Sequence, residues 1–258
     1  MDKGKQKVIP GDEDIAHFRQ HGYLVMRGLF DAAEMADIRA WTEEVQHWPE
    51  TPGRHMMYFQ ESQCEPGRRI LNRLENFLAY HDRFNELANG PRMKGICSQL
   101  FGEEAVLFKD KINFKLPGGD GFTPHQDAQA GWERYGTLHI SVMVAIDKAT
   151  LENGALRIAS SHGLSRLIGG EWTPLTEQEM EGMAFEILEM EPGDVAFFDS
   201  YTPHMSDPNL TPNPRRALFI SYGKLSEGDQ LARYYADKRE SYPPDIEREA
   251  GREYVFRV

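Results

Sequence analysis

From Val106 onward the chain is cut into short β-favouring runs separated by turn signals, and this punctuation limits the folds open to it. Val106 to Leu116 alternates like a strand, and Pro117-Gly118-Gly119-Asp120-Gly121 forms a loop behind it. Thr137 to Ile146 is nearly continuous in β-favouring residues, and Glu152-Asn153-Gly154 marks a turn before the strand Ala155 to Ala159. An insert carrying Trp172, Pro174 and the acidic Glu177-to-Glu181 stretch follows. Phe185 to Met190, Asp194 to Phe198 and Ala217 to Tyr222 complete the strands, with Glu191-Pro192-Gly193-Asp194 as a strong turn between the first two.

The first hundred residues read differently. Asp12 to Gln20 carries acidic residues in its first turn and is stopped by Gly22, so a short helix is expected there, followed by the strand Tyr23-Leu24-Val25-Met26. Asp31 offers an N-cap for a second helix, with Met35, Ile38 and Trp41 at helical spacing through Val45. Residues 49–70 are irregular, Leu71 to about Asn89 reads as helical, and Pro91 to Phe101 is a further helix closed by Gly102. Helices first and short strands afterwards predict an α+β fold with a sandwich or barrel core.

The 258 residues fit one domain, 1–258, and a net charge of −12 argues against nucleic-acid or anionic-membrane partners, which demand a basic face. No apolar run approaches the ~20 residues of a spanning helix. Met1 to Lys7 has no apolar stretch behind it, so no signal peptide is expected. Cys64 and Cys97 make neither a disulfide framework nor a zinc knuckle and read as reduced thiols of a cytoplasmic protein.

Chemistry concentrates at Gly121-Phe122-Thr123-Pro124-His125-Gln126-Asp127 and, 79 residues after His125, at Tyr201-Thr202-Pro203-His204-Met205-Ser206. On an extended strand His125 and Asp127 point to one face, so both can reach one ion. With His204 they would make the two-histidine, one-carboxylate facial triad that non-heme Fe(II) oxygenases use. Arg215, eleven residues after His204, offers a planar fork suited to a carboxylate, and the Ser206 hydroxyl can add a bond to it. Against this, a hydrogen-bonded His-Asp pair and two solvated cations at Arg215-Arg216 remain ordinary structural readings. His162 reads as a turn histidine and His139 as a core or pocket-wall residue. Arg68-Arg69 and the Arg233-to-Arg239 stretch read as solvated faces.

His125-x-Asp127, His204, Ser206 and Arg215 together resemble the phytanoyl-CoA dioxygenase superfamily of Fe(II)- and 2-oxoglutarate-dependent oxygenases. The likeness extends to Gly22-Tyr23-Leu24-Val25, Asn153-Gly154-Ala155-Leu156, Ser161-His162 and Pro192-Gly193-Asp194, covering about residues 12 to 225; the usual Pro-Gly before Ser-His is absent at Ser160. The resemblance implies a double-stranded β-helix (jelly roll, cupin-like) core with N-terminal flanking helices. It also implies that His125, Asp127 and His204 bind Fe(II) as the catalytic centre, and that Arg215 and Ser206 hold the far carboxylate of 2-oxoglutarate. Asn113 matches a cosubstrate-contacting position, with Gln126 and Lys111 in the same shell. O2 is the oxidant, and succinate and CO2 are the co-products. An acid at position 127 favours hydroxylation over halogenation.

The primary substrate is expected to be a small molecule. Trp132 and Tyr135 would lie over the pocket, where an aromatic wall can face apolar carbon or a quaternary ammonium group. Lys109, Arg157 and Arg216 could meet an anionic group. Asp127-Ala128-Gln129-Ala130-Gly131-Trp132 and the tail from Tyr234 to Arg248 resemble the organophosphonate α-hydroxylase branch, which implies 2-aminoethylphosphonate or its N-trimethyl form. An acyl-CoA or compatible-solute hydroxylase, a non-catalytic jelly-roll sensor and a cupin-like catalyst without cosubstrate stay open. Residues 49–70 and 165–184 are the lid candidates.

Overall fold

The computed structural model describes residues 9–160 and 166–254. The expectations for Met1 to Lys7 and for Ser161-His162 lie outside them. Five α-helices are present among the described residues: α1 (Asp12–His21), α2 (Ala32–Gln46), α3 (Asp82–Asn89), α4 (Pro91–Phe101) and α5 (Leu231–Ser241). The strands are β1 (Tyr23–Met26), β2 (Met56–Glu61), β3 (Arg69–Glu75), β4 (Ala105–Lys115), β5 (Phe122–His125), β6 (Ile140–Ala145), β7 (Leu156–Ala159), β8 (Phe185–Leu188), β9 (Val195–Asp199), β10 (His204–Ser206) and β11 (Arg215–Lys224). They form a seven-stranded sheet in the order β1-β9-β6-β11-β4-β3-β2 and a four-stranded sheet in the order β5-β10-β7-β8. Every pairing is antiparallel. This is a jelly roll.

Local chemistry sets the expected helix ends. Asp31 Oδ1 accepts the Ala33 and Glu34 amides at 2.9 Å, while Glu34 Oε2 accepts the Asp31 amide at 2.9 Å, a reciprocal capping box for α2. Gly22 and Gly102, both left-handed, close α1 and α4.

The central strands of the large sheet are buried on both faces. Val142 and Val144 of β6, with Leu218 and Ile220 of β11, pack toward the helices, whereas Met143, Ala145, Ala217 and Phe219 pack between the two sheets with Ile158 and Phe198. Alternate residues thus enter different cores, and the sequence there reads as a continuous apolar run.

Three expectations need correction. Leu71 to Glu75 is not helical but belongs to β3, which pairs with β4 (Leu74 opposite Ile112); the 3.6-residue spacing of Leu71, Leu74 and Leu78 imitates a helix face. Within 49–70, Met56–Glu61 is β2, paired with β3, so that part of the stretch is sheet and not irregular. The Arg233-to-Arg239 stretch lies in α5 and is not a solvated face throughout. Tyr234 and Tyr235 are buried, and the Tyr235 hydroxyl donates to Asp110 Oδ1 (2.9 Å) while accepting the Asp110 amide (3.0 Å), tying α5 to β4.

Candidate active site

His125 ends β5 and His204 opens β10, and the two are direct cross-strand partners. Their ring centroids lie 4.2 Å apart. Asp127 has left the strand; it opens a short 3-10 turn, Asp127–Ala130, so the carboxylate reaches the imidazoles by a bend and not by strand alternation. One ligand atom from each of His125, Asp127 and His204 lies within 4.8 Å of the others, and all three residues are buried.

The surroundings fix how these groups present themselves. His125 Nδ1 donates to Thr123 O at 2.6 Å and His204 Nδ1 to Thr202 O at 3.0 Å. Both rings are therefore held in the tautomer that leaves Nε2 as a lone-pair donor. Asp127 Oδ2 accepts the Ser141 hydroxyl at 2.6 Å, while Oδ1 faces His204 Nε2 at 3.9 Å. Ser141 sits 3.1 Å from Ser221, so β6 and β11 together orient the carboxylate. Burial pushes both imidazoles below their ordinary pKa, His125 to about 3, and so keeps them neutral. Burial raises the Asp127 pKa, but His204, Lys111 and His125 outweigh it and bring it down to about 2. Two neutral imidazoles and an ionised carboxylate are the donor set a divalent cation requires.

A second cluster is centred on Arg215, the first residue of β11, opposite Lys115 of β4. Lys115 Nζ donates to Ser206 Oγ at 2.7 Å and to Gly154 O at 3.4 Å, and the Arg215 guanidinium donates to the same Gly154 carbonyl. Arg215 Nε has no hydrogen-bond partner among the described residues. Burial and then the Arg215 charge pull Lys115 down to about 6, and burial lowers Arg215 to about 10. Gly154 permits this contact, because its φ is +75° and an added Cβ would meet Asp207 O at 2.1 Å. Lys115 is the residue that sequence reasoning missed. Its signal was its place in the alternating polar row Lys109, Lys111, Asn113, Lys115 on an otherwise apolar strand.

Other expected residues divide. Asn113 is buried in that row with its Oδ1 unpartnered among the described residues, and Lys111 lies near Asp127 with its ammonium 4.7 Å from the Phe219 ring centroid. Trp132 is buried against Phe108 and His139. Tyr135 and Lys109 line a cavity of about 670 Å³. A neighbouring cavity of about 550 Å³ reaches His125, and Trp172 and Tyr242 line both. Of the two lid candidates, 165–184 contributes Trp172 and Pro174 to these cavities and 49–70 contributes Tyr58, Phe59 and Gln60.

Gln126 does not join the site. Its amide donates to Tyr201 O (2.6 Å) and Arg166 O (3.0 Å) and accepts the Ile168 amide (2.7 Å), so it clamps loops. Arg157 pairs with outward-facing Met205 in the β7–β10 register, opposite in sense to inward His204 and Ser206, and bonds Asp207 on the outer face. Arg216 likewise points outward to Asp147 (2.8 Å) and Glu43 (2.9 Å).

A jelly roll with a buried His-Asp-His triad between its sheets defines the class of non-heme metal-dependent oxygenases. Within that class the chain belongs to the phytanoyl-CoA dioxygenase family, whose model, Phytanoyl-CoA dioxygenase (PhyH), matches residues 18–217. It is 41% identical over 251 residues to the 2-aminoethylphosphonate dioxygenase of uncultured bacterium HF130_AEPn_1, covering 94% of this chain and 92% of that one. It is 36% identical over 232 residues to the methylphosphonate hydroxylase of Gimesia maris, covering 90% and 87%. Among solved structures, EctD from S. alaskensis in its apoform matches with a TM-score of 0.72 at 22% identity, over 88% of this chain and 81% of that one. The epimerase SnoN from nogalamycin biosynthesis matches at 0.70 and 20%, over 96% and 94%. No helix among the described residues is long and apolar enough to cross a membrane.

Proposed function

We propose that the protein, acting as one domain over residues 1–258, is an Fe(II)- and 2-oxoglutarate-dependent hydroxylase of a small phosphonate. The 2-aminoethylphosphonate type, hydroxylated at the carbon next to phosphorus, is the leading substrate. The observation that carries the reading is a neutral-His, ionised-Asp triad sharing one barrel with a buried Arg215–Lys115–Ser206 cluster, in a chain 41% identical to a 2-aminoethylphosphonate dioxygenase. Two free thiols, Cys64 and Cys97, fit a reducing, cytoplasmic setting.

The residues fit iron and its cosubstrate. His125 Nε2, His204 Nε2 and Asp127 Oδ1 would hold the metal, and their second atoms are already bonded by Thr123, Thr202 and Ser141, which fixes their aim. Bound iron with 2-oxoglutarate and O2 supplies the oxidising power that turns C–H into C–OH, with succinate and CO2 released. Arg215 and Lys115 would meet the distal carboxylate of the cosubstrate, and the Ser206 hydroxyl would add a hydrogen bond. Asn113 would offer its side-chain amide to the cosubstrate, and Lys111 would balance negative charge beside Asp127. Trp132 would wall the substrate side and exclude water.

Aerobic assay with Fe(II), 2-oxoglutarate and 2-aminoethylphosphonate should give succinate and hydroxylated phosphonate in equal amounts, and Asp127→Ala should abolish both. Coupled succinate formation with only a fatty acyl-CoA or ectoine overturns the phosphonate assignment.

A further inference from the structure

β4 points four polar side chains along the barrel interior, and one end of the row is unaccounted for by metal and cosubstrate. Lys115 stands by Arg215 and Lys111 by Asp127. Lys109, two residues or about 7 Å further along, stands beside Glu75. Lys109 is buried, with its ammonium 5.3 Å from the Trp132 ring centroid and 5.5 Å from that of Tyr234. Among the described residues it makes no direct hydrogen bond, and the carboxylate whose charge it meets is Glu75. An ammonium so enclosed is costly without an acceptor.

The carboxylate beside it, Glu75, is shared with other basic groups. Glu75 is fully enclosed and already holds Arg73 at 2.8 Å and Lys238 of α5 at 2.6 Å. Among the described residues Glu75 is thus shared by Arg73, Lys109 and Lys238, while Asp127 serves the metal. The basic cluster borders open space, whose farther wall also carries Asp237, Glu240 and Glu253. Lys109 and Lys238 line the cavity of about 670 Å³, while Arg73 lines the adjoining one together with His125.

We propose that Lys109, Lys238 and Arg73 form the subsite for the phosphonate oxygens of the substrate, with Glu75 as the fixed carboxylate that holds Arg73 and Lys238 in place. This deepens the phosphonate hydroxylase reading and rests on it. A tetrahedral dianion offers several acceptors in different directions, and donors from three elements, β3, β4 and α5, can meet them at once. The same geometry rejects a quaternary ammonium at this wall. The Trp132 and Tyr234 rings already face Lys109, Tyr58 lies 4.4 Å from the Arg73 guanidinium, and a further cation would meet like charge. The amino end of an aminophosphonate is therefore directed away from Lys109. Lys238 and Glu75 also connect the subsite to the C-terminal helix, giving α5 a part in the pocket as well as in the scaffold.

The test uses anaerobic protein loaded with Fe(II) and 2-oxoglutarate, titrated calorimetrically with 2-aminoethylphosphonate and with methylphosphonate, alongside aerobic kinetics. Lys109→Met should raise the phosphonate Kd and KM by about tenfold or more. It should leave the KM for 2-oxoglutarate within about twofold, and Lys109→Arg should recover most of the loss. If Lys109→Met no longer binds 2-oxoglutarate, Lys238→Met carries the same expectation from the opposite side of the anion. Wild-type protein that oxidises a phosphonate while both methionine variants bind it normally overturns the subsite alone. Equal losses for phosphonate and 2-oxoglutarate in both methionine variants also overturn it, because they mark a general structural role. Wild-type protein that neither binds nor oxidises any phosphonate overturns the parent reading and the subsite with it.

Discussion

Arg215 and Lys115 face each other across the β4–β11 pairing, and their mutual repulsion is informative. An ammonium and a guanidinium sharing the Gly154 carbonyl are unfavourable together, so Lys115 stays largely neutral until an anion meets the pair. Arg215→Ala should raise the apparent KM for 2-oxoglutarate by roughly 30-fold or more, since a buried carboxylate loses a charged partner at a cost of about 2–5 kcal/mol. Lys115 makes a sharper prediction. Burial and Arg215 bring it down to about 6, so it is mostly neutral in the free protein above that pH, and a bound carboxylate restores its charge. Cosubstrate binding at about pH 8 should then take up a proton, and affinity should fall as pH rises. Calorimetry in buffers of different ionisation heat reads this directly, and Lys115→Met should abolish the uptake. In the sequence, the ligands and Arg215 were legible because their residue types at those spacings have few other uses. Lys115 was not, since a lysine on a strand normally reaches solvent. Gln126 and Arg157 misled for a related reason: a polar residue beside a ligand satisfies loop carbonyls or outer-face acids as readily as it meets a substrate.

Elements carry the site more than individual side chains do. β5 and β10 bring His125 opposite His204 through backbone pairing, β6 and β11 aim Asp127 through Ser141 and Ser221, and α5 rests on β4 through Tyr235 and Asp110. Tyr235→Phe should cost about 1–3 kcal/mol of stability in chemical denaturation, because it removes a partner from the buried Asp110 carboxylate and from two amides. Gly154→Ala should cost about 1–3 kcal/mol from backbone strain at φ +75°. It should also raise the 2-oxoglutarate KM, since the displaced Gly154 carbonyl orients both Arg215 and Lys115. The order of elements could be read from turn chemistry wherever a local signal decides: Asp31 starts α2, Gly102 ends α4, and Pro192-Gly193 separates β8 from β9. It failed at β3, where Leu71, Leu74 and Leu78 sit at helical intervals and only pairing with β2 and β4 makes the strand. Long-range hydrogen bonding overrode local propensity there, and nothing within a short window of sequence records it.

Across the whole molecule the charge is divided by depth. The chain carries a net −12, yet the interior of its barrel gathers Arg73, Lys109, Lys111, Lys115, Arg215 and Lys238 around few acids. Small anions are therefore favoured locally against an acidic exterior, which ties the pocket to its charge pattern and not to the overall balance. The same enclosure makes folding sensitive to acid. Burial lowers His125 to about 3, His139 to about 4 and His204 below its ordinary value of 6.5, so all three are neutral in the folded protein and protonate more easily when unfolded. Below about pH 6.5 these histidines take up protons in the unfolded chain before the folded one, an effect offset in part between about pH 6 and 4 by Asp110 and Asp199, which burial raises to about 6, so the histidine contribution lowers stability as the pH drops. The melting temperature of the metal-free protein should decline below about pH 6.5 and go on rising above about pH 7, because buried Lys115, held at about 6, and Lys111, held at about 8, are less protonated in the fold than in the unfolded chain. His139→Gln should flatten the decline by about one proton's worth of slope, because His139 is packed against Phe108 and binds no metal in this scheme. Added Fe(II) should raise the melting temperature at neutral pH, and the gain should vanish in acid as protons displace it from His125 and His204. A melting temperature that rises on acidification, or a metal-induced gain that persists to about pH 4, would contradict neutral, metal-ready imidazoles at this site.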